Sequence, residues 1–336
     1  MKFHIDFDSK KSPAPVQHGQ NLLLLGSCFT ESIGDKLRKH KFSTLENPNG
    51  ILFNPVSVSE AITNYIQNRK ITEADIFCYN ETWHSWQHHS RFSGITAEDC
   101  LQKINTSTNN AHTFLKKADH LLITLGSAWI YRLTKNAING KEYQVAANNH
   151  KAPADWFDKQ LMDLPQTKAL LGAMLQNIFA FNPGLQVIFT ISPVRHLREG
   201  LIDNNRSKAV LIQAVHELVA DYEQVYYFPA YELVIDDLRD YRFYAEDMVH
   251  PNYQATQYVW EKFMEASMSD ATRDLIKEIA GIQLAYQHKP FNPSTNQHQQ
   301  FLRSYLSKTS QLQINYPNLD FSLELGYFEN ELKKYQ

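Results

Sequence analysis

With 336 residues, 43% of them hydrophobic, the chain is long enough for one large core, or for a core domain with an appendage. Lys and Arg number 33 against 36 Asp and Glu, a net charge of −3, so there is no basic field of the kind that nucleic acid requires. The charged opening, MKFHIDFDSKK, does not read as a secretory signal, apolar runs such as Leu22–Leu25 are too short to span a bilayer, and three scattered cysteines (Cys28, Cys78, Cys100) make neither a disulfide framework nor a zinc site. The expectation is a folded cytoplasmic protein with free thiols, no membrane contact and no nucleic-acid partner.

The first predicted element is Leu22–Gly26, an apolar run that reads as a strand buried on both faces. A turn, Gly26-Ser27-Cys28-Phe29-Thr30, leads into a helix over Glu31–His40. The second strand is Phe42–Asn47. The second helix is Ser57–Gln67, with Val58, Ile62 and Ile66 at i, i+4 and i+8. Residues 75–97 are aromatic and histidine-rich and read as an insertion over the sheet rim. Leu121–Gly126 is the third strand. Residues 134–165 are polar, carry Pro153 and Pro165, and read as a long loop or lid. A helix over Thr167–Phe181, ended by Pro183-Gly184, leads to a fourth strand at Val187–Ser192. A helix over Lys208–Tyr222 leads to a fifth at Val225–Tyr231. The last helix of this series is Tyr253–Ser267, with Asn252 as N-cap and Ala255, Val259 and Phe263 along one stripe. Beyond residue 268 the pattern becomes a mostly helical tail interrupted by Pro290 and Pro293. Residues 1–268 thus form one α/β domain and residues 269–336 a helical extension.

Strands that alternate with helices form a parallel sheet between helix layers, and such sheets carry their chemistry at the carboxyl ends of the strands. Five segments fall there. In Asp247-Met248-Val249-His250 a carboxylate stands three residues from a histidine, the pairing a general base needs to fix its tautomer. Pro251 holds His250 out of the following helix. Ser27 and Cys28 are the candidate nucleophiles. They leave the strand in different directions, so only one serves. Cys28 is the better nucleophile at neutral pH, and a helix N-terminus lowers a thiol's pKa and favours an oxyanion. Gly50 and Ser127 are candidate oxyanion donors. Arg195, His196, His89 and Trp129 are candidate substrate contacts. His84 and His88 have the i, i+4 spacing of a shared metal on a helix, but no Glu follows His84 as in the zinc-protease motif. No metal or cofactor is expected.

These segments also resemble a family. Gly26-Ser27-Cys28-Phe29-Thr30 looks like the signature of the GSCFA domain family, which belongs with the SGNH/GDSL hydrolases. Asn47-Pro48-Asn49-Gly50, Trp83-His84-Ser85, His89-Ser90-Arg91-Phe92, Thr124–Trp129, Ser192–His196 and Tyr244–Pro251 resemble it in the same order, over about residues 20–265. The resemblance implies an α/β fold. This is a three-layer α/β/α sandwich with a five-stranded parallel sheet in flavodoxin-like strand order, and ester or acyl-transfer chemistry. Asp247 and His250 match the superfamily's last motif block and Gly50 its second. The Gly-Asp-Ser register puts Cys28, not Ser27, at the nucleophile. Ala128 stands where the third block has asparagine, so one oxyanion donor is missing or supplied differently. The implied function is an acyl-ester hydrolase or O-acyltransferase using Cys28 or Ser27 with His250 and Asp247 on a small-molecule or carbohydrate ester. The alternative is a non-catalytic glycan- or acyl-ligand-binding protein on an esterase fold. Neither the acyl group nor the oligomeric state follows from the sequence.

Overall fold

The computed structural model describes residue 5 and residues 7–334. The remaining residues of the opening read above for a targeting signal, and the last two of the tail, lie outside them. In chain order, β1 (Asn21–Gly26) leads to α1 (Cys28–Lys39), and β2 (Ser43–Glu46) to α2 (Pro55–Gln67). A hairpin of β3 (Phe77–Tyr79) and β4 (Thr82–His84) precedes α3 (Ala97–Leu115) and β5 (His120–Leu125). A second hairpin pairs β6 (Trp129–Leu133) with β7 (Phe157–Leu161). Then follow α4 (Leu164–Phe181), β8 (Gln186–Ile191), α5 (Gly200–Asp221), β9 (Val225–Tyr227), the single turn α6 (Ala230–Glu232) with a π-helical turn at Leu233–Leu238, and α7 (Tyr253–Ser267). The tail consists of α8 (Asp270–Gln287), α9 (Asn296–Asn315) and α10 (Ser322–Lys334).

The main sheet has the order β2-β1-β5-β8-β9, and every pairing in it is parallel. That is the flavodoxin-like order. The pleat sends alternate residues to opposite faces. Leu23 and Leu25 of β1, with Leu121 and Ile123 of β5, pack on Ile62 of α2, Leu175 of α4 and Val215 of α5. Leu22, Leu24 and Leu122 face the other way, onto Ile33 and Leu37 of α1 and Val259 and Phe263 of α7. These leucines are at most 2% exposed, and each contributes roughly 1.5–3 kcal/mol of burial. The result is a three-layer α/β/α sandwich with strand ends aligned at one edge. In the tail, Leu275, Ile279, Leu302, Phe321 and Phe328 form a separate apolar cluster. No helix among the described residues is long and apolar enough to cross a membrane.

Several elements differ from the sequence reading. The fifth strand ends at Tyr227, because Pro229 lacks an N–H for the ladder and the chain turns into α6. Helix α5 starts at Gly200, well before Lys208. Helix α3 was not anticipated. Its buried stripe contains only Cys100, Ile104, Thr108, Ala111 and Leu115, diluted among Asn, Thr and Ser of low helix propensity. The two insertions are not a free rim and a free lid. Phe77 from the first stacks on Trp86, ring centroids 4.0 Å apart, and Trp86 donates to the Ile138 carbonyl and accepts from Ala147 N–H. Phe77, Trp86, Leu133 and Ala146 form one small core, so the insertions pack as a unit.

Candidate functional site

The turn after β1 follows from its glycine. Gly26 has φ +137°, and a Cβ there would lie 2.1 Å from the Thr124 carbonyl oxygen of the neighbouring strand. Only glycine permits that approach. Its N–H donates to Asn47 Oδ1 at 2.9 Å. Ser27 is fully buried. Its N–H donates to Thr124 O, and its Oγ accepts from Phe29 N–H at 3.3 Å as the N-cap of α1. The hydroxyl read as an alternative nucleophile is therefore enclosed and spoken for.

Cys28 is the first residue of α1 and is half-buried. Its thiol is held above the ordinary value. Burial is the largest cause; the N–H groups of Cys28 and Phe29 and the ammonium of Lys208 oppose it, and Glu31 adds to it. The helix N-terminus was expected to lower this pKa. Desolvation of the anion outweighs it, so the resting group is a thiol.

Asp247 organises its own loop. Its Oδ1 accepts the N–H groups of Val249 (2.9 Å) and His250 (3.0 Å), and its Oδ2 accepts from His250 Nδ1 at 2.6 Å. These bonds hold its carboxyl down at about 2. His250 is thereby presented as the Nδ1–H tautomer, with Nε2 unpartnered among the described residues and the side chain 49% exposed. Met248 takes φ +58°, which closes the loop so that Ala245 N–H reaches His250 O at 2.7 Å. Asn252 then caps α7 by accepting from Ala255 N–H.

The oxyanion candidates change. Gly50 (φ +81°) closes a turn in which its N–H donates to Asn47 O at 2.7 Å, and His89 packs directly over it, so this N–H is already committed. Ser127 donates its N–H to Phe53 O, and its Oγ shares a hydrogen with Ser207 Oγ. Ala128 is fully buried in the main core, with its N–H on Ser207 Oγ at 2.7 Å, so no side chain from that position reaches the strand ends. Asn47 was missed as a side chain. Its Oδ1 is fixed by Gly26 N–H, which leaves Nδ2 as a buried donor without a partner. Its left-handed φ of +43° after a strand marks a turn, but nothing local indicates where the amide lies.

Of the candidate substrate contacts, Trp129 and His196 line one cavity of about 250 Å³, together with Ser127, Tyr131, Arg198 and Glu199. The ring of His196 stands edge-on to Phe53, and its Nε2 is buried without a partner, 3.1 Å from where a Cβ on Gly126 would be. Burial pushes His196 down to about 3, helped by Lys208 and His250. Arg195 lies outside this cavity and grips the His250 loop instead. His89 is also outside it, accepting from Arg91 N–H and covering Gly50.

Lys208 was missed altogether. It is 1% exposed, and its Nζ donates to Gly126 O at 2.6 Å and Ser192 O at 2.7 Å, tying together the ends of β5 and β8. The signal was available in the sequence: Lys208, Leu211, Val215 and Leu218 lie at i, i+3, i+7 and i+10, which puts a lysine on a buried helical stripe.

The histidine pair does not sit on one helix. His84 ends β4 with Nδ1 on Ser93 Oγ, and His88 is buried in the following loop with Nδ1 on Ser85 Oγ. No cluster of three or more potential metal ligands occurs among the described residues.

The chain is similar to several solved structures. A family 3 carbohydrate esterase from Clostridium thermocellum is 10% identical, with 78% of this chain and 99% of that one covered and a TM-score of 0.36. A carbohydrate esterase of family 3 from Talaromyces cellulolyticus is 10% identical over 78% of this chain and 99% of that one, TM-score 0.34. An acetyl xylan esterase from the rumen bacterium Butyrivibrio proteoclasticus is 11% identical over 74% of this chain and 64% of that one, TM-score 0.37. No curated protein matches the chain in sequence. The GSCFA family profile matches residues 21–263 and that of the GSCFA domain protein C-terminal domain matches residues 279–334, so the chain belongs to the GSCFA family.

Proposed function

We propose that this protein is an acyl-ester hydrolase or O-acyltransferase in which Cys28 is the nucleophile, His250 the general base and Asp247 the residue that orients it. The observation that carries this reading is the pairing of Asp247 Oδ2 with His250 Nδ1 at 2.6 Å, at the same sheet edge as a half-buried thiol on a helix N-terminus. The loss of Ser27 to a capping role supports Cys28.

His250 Nε2 takes the thiol proton as Sγ attacks the ester carbonyl. The N–H of Cys28, which already favours negative charge at the sulfur, and the unpartnered Asn47 Nδ2 are the donors assigned to the tetrahedral oxyanion, while Phe29 N–H is shared with Ser27 Oγ. The intermediate collapses, and the leaving alcohol receives its proton from His250. Water then releases the acid, or a second hydroxyl accepts the acyl group. The cavity beside Ser127 and His196, walled by Trp129 and Tyr131, suits a sugar ring; Cys28, Asp247 and His250 are not part of its lining.

Purified protein should turn over short-chain acyl esters and acetylated sugars, and both Cys28→Ala and His250→Ala should abolish that turnover. Rates unchanged in either variant would sink the mechanism. Product analysis with and without a sugar acceptor separates hydrolysis from transfer.

A second reading is a non-catalytic protein that binds an acylated glycan. The committed N–H of Gly50 and the burial of Ala128 favour it, because both remove oxyanion donors. Under that reading acetylated sugars bind with ordinary affinity and are recovered intact.

A further inference from the structure

We propose that Lys208 is the buried cation that balances the Cys28 thiolate at the moment the thiol gives up its proton. This rests on the reading of Cys28 as the nucleophile, and makes Lys208 a positioning residue rather than a group that touches substrate.

The geometry places Lys208 next to the nucleophile turn. Gly26 pairs with Thr124 across β1 and β5, and Ser27 N–H donates to Thr124 O. Gly126, two residues further on, gives its carbonyl to Lys208 Nζ. Two carbonyls take two of the three ammonium hydrogens, and neither neutralises its charge. Among the described residues Lys208 forms no salt bridge with a carboxylate.

Among the described residues, the Tyr231 ring of α6 lies with its centroid 5.9 Å from Nζ, and Lys208 is electrostatically coupled to Cys28 of α1 and to His196 of the loop after β8. His196 stays neutral because burial holds it near 3. Cys28 is therefore the coupled group that supplies a negative charge to this ammonium once its proton is taken. Burial brings Lys208 down to about 7, and Cys28 acts in the opposite sense. The coupling is mutual, as any such linkage must be. When the S–H bond breaks, the proton goes to His250 and Lys208 keeps its own, so the site passes from thiol to thiolate without a second proton transfer.

A lysine that served only as a strut between β5 and β8 would make the same two hydrogen bonds. Iodoacetamide alkylation of Cys28, followed at its own peptide by mass spectrometry from pH 6 to 11, separates the two roles. In Lys208→Met the rate below pH 8 should fall about tenfold, one pH unit of displacement, and converge with that of the parent protein at high pH, where the thiolate forms unaided. A rate reduced by one factor at every pH, or not reduced, overturns the proposal.

The second measurement keeps Lys208 and varies its partner. In protein carrying ¹³Cε-lysine, the Lys208 signal is assigned by its loss in Lys208→Met. Its midpoint should lie about one unit or more higher in Cys28→Asp, which supplies a fixed anion, than in Cys28→Ala. Equal midpoints overturn the proposal. Ester turnover that survived Cys28→Ala would remove the proposed reaction and leave the charge coupling to be judged on these titrations alone.

Discussion

Arg195 donates its backbone N–H to Val249 O at 3.2 Å and its guanidinium to Met248 O at 3.3 Å, so the loop after β8 holds the loop that carries His250. The guanidinium itself is fixed on the rings of Tyr244 (4.0 Å) and Tyr241 (4.8 Å). Residues 53 positions apart are joined at the strained point of the loop, where Met248 has positive φ. Arg195→Ala should therefore lower kcat by roughly tenfold, by loosening the base, with little change in KM. Steady-state kinetics on a short-chain ester checks this. A raised KM at constant kcat would return Arg195 to a substrate contact.

Asp247 sets the acid behaviour of the same loop. Its carboxyl is depressed in the folded state, so the contribution of its hydrogen bonds is complete above the ordinary carboxylate value of 3.8 and is lost as pH falls through about 2. Any decline in activity between pH 7 and pH 4 thus does not arise from Asp247. Asp247→Asn should remove the tautomer control at every pH and reduce kcat by roughly 10³-fold or more, read from a pH–rate profile. A variant that regained activity at higher pH would contradict this.

Ser27 and Cys28 should separate stability from turnover. Ser27→Ala loses a helix cap and should cost about 1 kcal/mol in a urea melt, with turnover within a few-fold of the parent. Cys28→Ala should do the reverse. If Ser27→Ala alone stopped turnover without unfolding the protein, the nucleophile assignment would move to Ser27.

Among the described residues, burial favours the neutral form of His88, His120, His150 and His196. Desolvation lowers His88 and His196 to about 3, and His120 and His150 to about 4. Their folded-state values lie below the unfolded value of 6.5, so their contribution is complete above 6.5 and is lost as pH falls toward the folded values. Denaturant melts should show stability falling from pH 7 to pH 5, with an upper bound of about 2 kcal/mol for each histidine. His120→Gln should flatten this slope. A slope unchanged by that substitution would exclude His120 as a contributor.

What the amino-acid sequence determined alone is what short segments contain. The first, third and fourth strands, the Asn252 cap, Pro251 as a helix boundary and the Asp-x-x-His spacing all act within a few residues, and each appears within a residue of where the sequence puts it. Helix α3 escaped because its stripe is thin in large apolar side chains. The tertiary structure decided everything that depends on a distant partner. Ser27 is enclosed against Thr124, Gly50 N–H is drawn into the turn with Asn47, and Ala128 faces the core. Cys28 lies on a helix N-terminus as the sequence suggests, yet its proton affinity is raised above the ordinary value chiefly by burial among residues distant in the chain. Desolvation depends on every neighbour at once, and hydrogen-bond satisfaction depends on which strand end is adjacent. Neither quantity is a property of local spacing.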